Sequence, residues 1–362
     1  MSYSLAYFIE SFYPNIGGSE KRAMSLLSRL HNFSVNVFTI DFNNSGKRED
    51  FKNITINRIM DARREEYFTP AGRNIFRAME YASGVRRIVR EEEFDLYIFD
   101  QFPYFHYSKS VNFLPEHRVL VQMHEVLKGY YHNFLVNYTL SRYEGRMAKN
   151  RGGLIATSNF NRQRISGIYG IPGDRIEVIG NGIDFTDSAT RTERKKIIFV
   201  GRNTRDKRIP VILDIAGKMG DYEFTVVTDS GSFSNVPENV TIRVGLSDEE
   251  IREEYRSSSI FLTASYREGF SIASLEAMGF SLPVIYIRSP FNQAMEEVVR
   301  DGYNGFACSG IDDVISRIHD LENLKLYSDM STNAYNFAIE RTWDNIARKY
   351  ETYLVEKIEG KQ

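Results

Sequence analysis

Two hydrophobic periods alternate along the chain. Leu5–Ile9, Val35–Ile40, Leu96–Phe99, Val119–Met123 and Leu154–Thr157 are short apolar runs bounded by polar residues. Each is too short for a globular helix and reads as a buried strand. Between them the spacing lengthens. Ala23, Met24, Leu26, Leu27 and Leu30, after "SFYPNIGGSEKR", recur as on one face of a helix. Strands alternating with amphipathic helices predict a parallel sheet covered by helices on both faces.

The pattern then restarts. "DFTDSATRTERKK", Asp184 to Lys196, is a polar linker near the middle of the chain, and "IIFVG" follows it as a buried strand. A helix from about Pro210 to Met219 comes next, and "EFTVV", "VTIRV", "SIFLTA" and "LPVIYI" supply further strands. The expectation is an α/β protein of two Rossmann-like, doubly wound domains, residues 1–184 and 185–341. In the last segment Trp343, Ile346, Ala347, Tyr350, Tyr353, Leu354 and Ile358 recur with helical period. Such a helix needs a partner surface. We expect residues 342–362 to cross back to the N-terminal domain.

Composition narrows the class. The 362 residues are 42% hydrophobic and 26% charged, ordinary for a globular protein, with aromatics at 13%. A single cysteine, Cys308, excludes an intramolecular disulfide, leaves no cysteine-based metal site and fits a reducing compartment. The N-terminal "MSYSLAYFIESFY" lacks a basic start and a small-residue cleavage site, so it reads as a first strand rather than a signal peptide. No run of ~20 apolar residues predicts a transmembrane helix. A cytoplasmic protein is expected. The net charge of −2 divides into an excess of four positive charges over residues 1–185 and six negative beyond. No basic stripe or module signature points to nucleic acid.

Four segments carry candidate chemistry, each at the carboxyl end of a strand, where open α/β sheets bind ligands. Gly17 and Gly18 lie between the first strand and the first helix. They either serve a turn or let backbone N–H groups approach an anionic ligand. His124 directly follows the strand in "RVLVQMHE". It is either structural or a hydrogen-bonding partner for a substrate hydroxyl, and the other histidines show no metal-like spacing with it. In "FVGRNTRDKR", Gly201-Arg202 and Lys207 place two cations beyond a strand, which suits a diphosphate. In "EGFSIASLEAMG", Ser271 can cap a helix starting at Ile272, with free N–H groups for phosphate oxygens. Glu276, the lone charge in an apolar stretch, would be costly to bury without hydrogen bonds, and a hydroxyl-rich ligand could supply them.

Taken in order, these segments resemble the retaining GT-B glycosyltransferases of family 4, the glycosyl transferases group 1. The family's mark is a Glu, seven residues and a second Glu, matched by Glu268 and Glu276. Gly17-Gly18-Ser19-Glu20, His124, Gly201-Arg202 with Lys207, "TSNFNRQRI", "IEVIGNGID", "GYNGF" and "RTWDNIARKYETY" match further family segments, so the resemblance spans nearly the whole chain. Three segments depart from it: "VVTDSGSFS", Gly180-Asn181-Gly182 and "SPFNQAMEEVV". The first and third fall where the family contacts base and donor sugar.

The resemblance implies a GT-B fold of two domains facing a central cleft. The donor would be a nucleoside-diphosphate sugar, a UDP- or GDP-sugar, bound mainly by the second domain, with no other cofactor. It implies that Gly201, Arg202 and Lys207 hold the diphosphate and that backbone at Gly269, Phe270 and Ser271 holds phosphate and sugar. Glu276 would bind the ribose, Glu268 and His124 would contact the donor sugar, and Gly17 and Gly18 would line the cleft. Arg202 and Lys207 would stabilise charge growing on the leaving diphosphate, with His124 and Glu268 also in the catalytic set. No Asp-x-Asp occurs in the chain, which fits metal-independent transfer of a hexose.

The acceptor would be a glycan, a lipid-linked saccharide or a small-molecule hydroxyl. "RNIFRAMEYASGVRRIVR" and "YYHNFLVNYTLSRYEGR" mix apolar and basic positions as membrane-surface helices do, so peripheral contact with the inner face of a membrane is one expectation. Core on one face and solvated charge on the other is the alternative. Two other functions fit the fold: a GT-B nucleotide-sugar epimerase, and a non-catalytic sugar-nucleotide-binding subunit of a glycan assembly complex.

Overall fold

The computed structural model describes residues 2–15, 17–69, 72–129, 134–184, 186–187 and 195–360. Most of the polar linker therefore lies outside the described residues. The chain divides into two compact units, residues 1–180 with 343–362, and residues 181–342.

In chain order unit 1 contains β1 (Tyr3–Phe8), α1 (Gly18–Leu27), β2 (Phe33–Asp41), β3 (Arg48–Phe51) and β4 (Ile54–Asp61). Then come α2 (Arg64–Tyr67), β5 (Phe68–Thr69), β6 (Gly72–Arg73), α3 (Ile75–Glu91), β7 (Leu96–Asp100) and α4 (Phe105–Ser110). β8 (Val119–Met123), α5 (Phe134–Ala148), β9 (Leu154–Ala156), α6 (Asn159–Tyr169) and β10 (Ile176–Val178) complete its N-terminal run. The sheet order is β10-β9-β8-β7-β1-β2-β4-β3, parallel except for the β3–β4 pair. Strand order reverses at β1, which lies between β7 and β2.

Both faces of this sheet are buried, which explains the continuous apolar runs. Ala6, Phe8, Phe38, Phe99 and Val121 join one core with Tyr81 and Val85 of α3. Their alternates Leu5, Tyr7, Val37, Ile98 and Leu120 turn to the other face.

Unit 2 contains β11 (Lys196–Val200), α7 (Ile209–Gly217), β12 (Glu223–Thr228), β13 (Val240–Val244), α8 (Asp248–Ser257) and β14 (Ile260–Thr263). α9 (Ile272–Gly279), β15 (Val284–Ile287), β16 (Gly305–Cys308), α10 (Ile311–Asp320) and α11 (Leu324–Ile339) follow. Its sheet runs β13-β12-β11-β14-β15-β16, all parallel, and reverses order at β11. Ile197, Phe199 and Leu262 pack with α7 and α10 on one face. Ile198, Phe261 and Val284 pack with α9 and α11 on the other.

The chain then returns to unit 1 as α12 (Trp343–Glu359), which packs against α1 and buries Trp343, Ala347, Tyr350, Tyr353 and Leu354. Where it leaves unit 2, Thr342 bridges Ile183, and the Ile183 N–H donates to Arg341 O at 3.0 Å.

Candidate functional site

In unit 2 the candidate residues gather at the carboxyl ends of β11 and β14, the neighbouring strands at which the strand order reverses. Beyond β11 the Gly201 N–H donates to Val227 O at 3.0 Å, and Arg202 is exposed, with no ion-pair partner among the described residues. One short 3-10 turn later the Lys207 ammonium pairs with the Glu268 carboxylate, which follows β14. Next to that pair runs a second of opposite sense. The Asp206 carboxylate accepts from Arg267 Nε at 3.2 Å and Nη2 at 2.9 Å. The Tyr266 N–H also donates to Asp206 O at 2.7 Å. Two crossed ion pairs and a backbone bond thus fix one loop to the other.

Past Glu268 the chain runs through half-buried Gly269 and Phe270 to Ser271. Phe270 O accepts from Asn181 Nδ2 at 3.3 Å. Ser271 caps α9: its hydroxyl accepts the Ser274 N–H at 3.3 Å and the Ser274 hydroxyl at 2.8 Å. The N–H groups of the first turn point out of the helix start, where they and the helix dipole favour an anion.

Glu276 departs from the expectation of a carboxylate drawn into the core. The helical period sends Ser274, Leu275, Ala277 and Met278 inward and leaves Ile272, Ala273 and Glu276 half-exposed. The Tyr255 hydroxyl reaches Glu276 Oε2 at 3.5 Å and Ala273 O at 3.3 Å. Burial, reinforced by the Glu276 charge, holds that phenol protonated well above its usual range.

In unit 1, Gly17 is the N-cap of α1 and Gly18 its first residue, with Glu20 in the first turn. A Cβ at Gly17 would meet the Glu20 carboxylate, whereas one at Gly18 would meet nothing within 4 Å. One turn on, Arg22 is buried and donates to Ile179 O at 2.7 Å and to Gly180 O, the last residues of the unit's first segment. Burial pulls its guanidinium below the usual arginine range, against the nearby Tyr350, Tyr7 and Asp100.

His124 follows β8, and Nε2 of its ring lies 2.9 Å from Asp100 Oδ2 at the end of β7. The same oxygen accepts from the Tyr7 hydroxyl at 2.8 Å and Gln122 Nε2 at 3.3 Å. Burial alone would raise the Asp100 carboxyl, but the attraction of the adjacent His124 ring and the hydrogen bonds from His124 and Tyr7 hold it below its usual range. The main chain is held as closely. Gln101 Oε1 accepts the N–H groups of His124 at 2.8 Å and Glu125 at 3.1 Å, and Gln101 Nε2 donates to Glu125 O at 2.7 Å. His124 O accepts from Thr157 and Asn161 at 2.9 and 2.6 Å. Buried Glu144 of α5 accepts the N–H groups of Leu127 and Lys128 at 2.8 and 3.2 Å and the hydroxyls of Tyr104 and Tyr169. Its burial outweighs those bonds and raises its carboxyl.

The two units thus separate the sequence candidates into two groups. Arg202, Lys207, Glu268 to Ser271 and Glu276 belong to unit 2, and Gly17, Gly18 and His124 to unit 1. Sequence reasoning missed Asp100, Gln101, Gln122, Glu144, Arg22 and the Asp206–Arg267 pair. A signal existed for two of them. Gln122 is a polar residue inside the apolar "VLVQM", and Asp100 ends the apolar "LYIFD" as His124 follows its own strand. Among the described residues no three His, Cys, Asp or Glu side chains are grouped to hold a metal ion.

The chain is similar to several known glycosyltransferases. The uncharacterized glycosyltransferase MJ1178 of Methanocaldococcus jannaschii is 24% identical over 92% of this chain and 93% of its own. Among solved structures, sucrose-phosphate synthase from Thermosynechococcus elongatus superposes with a TM-score of 0.80 at 14% identity, covering 99% of this chain and all of that one. Anabaena HepE, solved with UDP-glucose, gives 0.74 at 15% identity over 98% of this chain and all of its own. The family model "Glycosyltransferase Family 4" matches residues 16–187, and "Glycosyl transferases group 1" matches residues 182–337. The two matches overlap at residues 182–187 and together span residues 16–337, and on them the chain belongs to the group 1 glycosyltransferases of GT-B fold.

Proposed function

We propose that this protein is a retaining, metal-independent glycosyltransferase that moves a hexose from a UDP- or GDP-sugar to a hydroxyl acceptor. The observation that carries the reading is the unit 2 site. Beyond β11 stand Arg202 and Lys207, and beyond β14 stand Glu268, paired with Lys207, and the capped start of α9, at the reversal of strand order. A diphosphate there would accept hydrogen bonds from Arg202 and free N–H groups and would compete with Glu268 for Lys207. As the anomeric C–O bond breaks, negative charge grows on the leaving phosphate, and those donors stabilise it more than the ground state. Glu268 and Glu276 would accept from donor sugar and ribose hydroxyls. His124 would hydrogen-bond the transferred sugar, with Gly17 and Gly18 bordering the site. HepE's complex with UDP-glucose supports a nucleotide-sugar donor. The retaining outcome rests on the resemblance of the Glu268–Glu276 segment to family 4.

The test is a thermal-shift panel of UDP, GDP, ADP and their sugar conjugates. A ligand of the folded state raises apparent stability by RT ln(1 + [L]/Kd). One nucleotide should give a clear shift that is lost in Arg202→Ala and Glu276→Ala. The absence of any shift overturns the reading. Product NMR on the anomeric proton then checks retention.

For the acceptor we propose a saccharide, either free or lipid-linked. In favour of a lipid surface, Ile75 and Phe76 at the start of α3 are 63% and 86% exposed, and Phe134 of α5 is 76% exposed. Among the described residues no helix is long and apolar enough to cross a membrane, so such contact would be peripheral. Co-sedimentation with anionic vesicles that is reduced in Phe76→Ser supports it, and absence of binding to those vesicles removes it.

A further inference from the structure

Asp100 has no assigned role, yet it is the only side chain that touches the His124 ring by a hydrogen bond among the described residues. It is 2% exposed, while the His124 side chain keeps 14% of its surface open. One carboxylate oxygen gathers three partners: the Tyr7 hydroxyl, Gln122 Nε2 and His124 Nε2. Gln122 Nε2 also donates to the Tyr7 oxygen at 3.0 Å, so the Tyr7 proton is directed to Asp100. An ionised carboxylate only accepts, which requires the proton on His124 Nε2. In neutral imidazole the other nitrogen, Nδ1, then carries a lone pair. Nδ1 makes no hydrogen bond among the described residues, whereas the His124 backbone N–H and carbonyl are already occupied by Gln101, Thr157 and Asn161. The ring is therefore the one part of His124 left for a ligand, and Asp100 decides which of its nitrogens faces outward.

We propose that Asp100 is a positioning residue for His124: it fixes the Nε2–H tautomer and presents Nδ1 as an acceptor for a sugar hydroxyl. The inference rests on the proposed role of His124 in transfer. Tyr7 and Gln122 support it in turn, by holding the carboxylate oxygen in line with the ring. The arrangement has the logic of a histidine whose tautomer and orientation are set by a buried carboxylate, here applied to hydroxyl recognition.

The replacement series follows from the hydrogen bonds. Asp100→Ala removes the acceptor, so the ring loses both its orientation and its tautomer preference. Asp100→Asn keeps an acceptor, because three donors converging on one position select the amide oxygen there. The first measurement is nitrogen-15 NMR of the histidine side chains in the full chain, with His124→Ala for assignment. Wild type and Asp100→Asn should show His124 as the Nε2–H tautomer, and Asp100→Ala should show a mixture. An Nδ1–H tautomer in the wild type overturns the inference without any variant having to fold.

The second measurement is release of nucleoside diphosphate from the donor that the thermal-shift panel identifies. Asp100→Ala should lower kcat at least 100-fold with donor KM within about threefold, and Asp100→Asn should recover most of it. The double variant Asp100→Ala/His124→Ala should be no slower than His124→Ala alone, since Asp100 acts through the ring. A double variant slower than both singles reveals a merely structural role and overturns the inference. If His124→Ala loses turnover but Asp100→Ala does not, the inference fails and the transferase reading stands. If His124→Ala turns over normally, the role given to His124 falls, and the positioning role with it.

Discussion

His106 lies buried on the opposite face of the sheet from the Asp100 cluster, with its ring 5.4 Å from Phe99 and 6.0 Å from Tyr81. Burial pushes its imidazole down from 6.5 to about 3, with Asp100 opposing the shift. The folded state therefore keeps this histidine neutral while the unfolded chain takes up the proton. Its contribution to stability is complete above pH 6.5 and is lost as pH falls toward 3. Between pH 7 and pH 5 urea unfolding should lose about 2 kcal/mol through this group, and that loss should be absent in His106→Phe. Arg22→Met should cost about 2 kcal/mol at every pH from 6 to 9, because it leaves the carbonyls of Ile179 and Gly180 without their donors. Denaturant curves of the two variants separate the pH-dependent effect from the constant one. Individual residues also show what sequence could reveal about the site. Lys207 and Glu268 were visible as charges beyond strands, but their contact joins positions far apart in sequence and needed the fold. Glu276 was visible as a lone charge, while its half-exposure depended on the direction of the helix face. Gln101 and Glu144 act through hydrogen bonds to backbone distant in sequence, and Asp100 through the side chains of Tyr7, Gln122 and His124, partners that no local pattern names.

At the scale of elements, legibility followed burial. Val119–Met123 is buried at every position, and there the apolar run and the strand coincide. β3, "REDF", is an antiparallel edge strand with hardly a buried residue, so no hydrophobic period announces it. β10 has three residues and β16 four, too few to show a period. β16 depends on one position in particular. A Cβ at Gly305 would lie 2.0 Å from the backbone oxygen of Val284 on the neighbouring strand. Gly305→Ala must push β16 off β15, and a loss of about 3 kcal/mol is expected from the overpacking. Calorimetry should assign that loss to the unit 2 transition. Ser271→Ala removes the N-cap of α9 and should cost about 1 kcal/mol in the same transition. Because that cap shapes the proposed phosphate site, it should also weaken nucleotide binding several-fold by isothermal titration.

The whole molecule is built from two units, each with its own sheet and two-faced core, and the chain passes between them twice, at Gly180 and at Thr342. The restart of the hydrophobic pattern made this layout readable from sequence, since a second set of buried strands needs a second core. The amphipathic period of the last segment shows that some surface must cover it, and residues 342–362 are expected to cross back to the N-terminal domain; α12 packs there against α1. The helix carries a consequence for spectroscopy. Trp343 is the only tryptophan in the chain, fully buried, and the first residue on the unit 1 side of the second crossing. Its emission is a natural optical label for the unit 1 side of that crossing. A nucleotide bound by unit 2 should move the midpoint of the calorimetric transition that Gly305→Ala affects. The blue-to-red shift of Trp343 emission on heating should stay at its ligand-free temperature. Coincident movement of both signals would instead reveal that the two units melt as one. With one tryptophan, the protein can report which half of itself has opened.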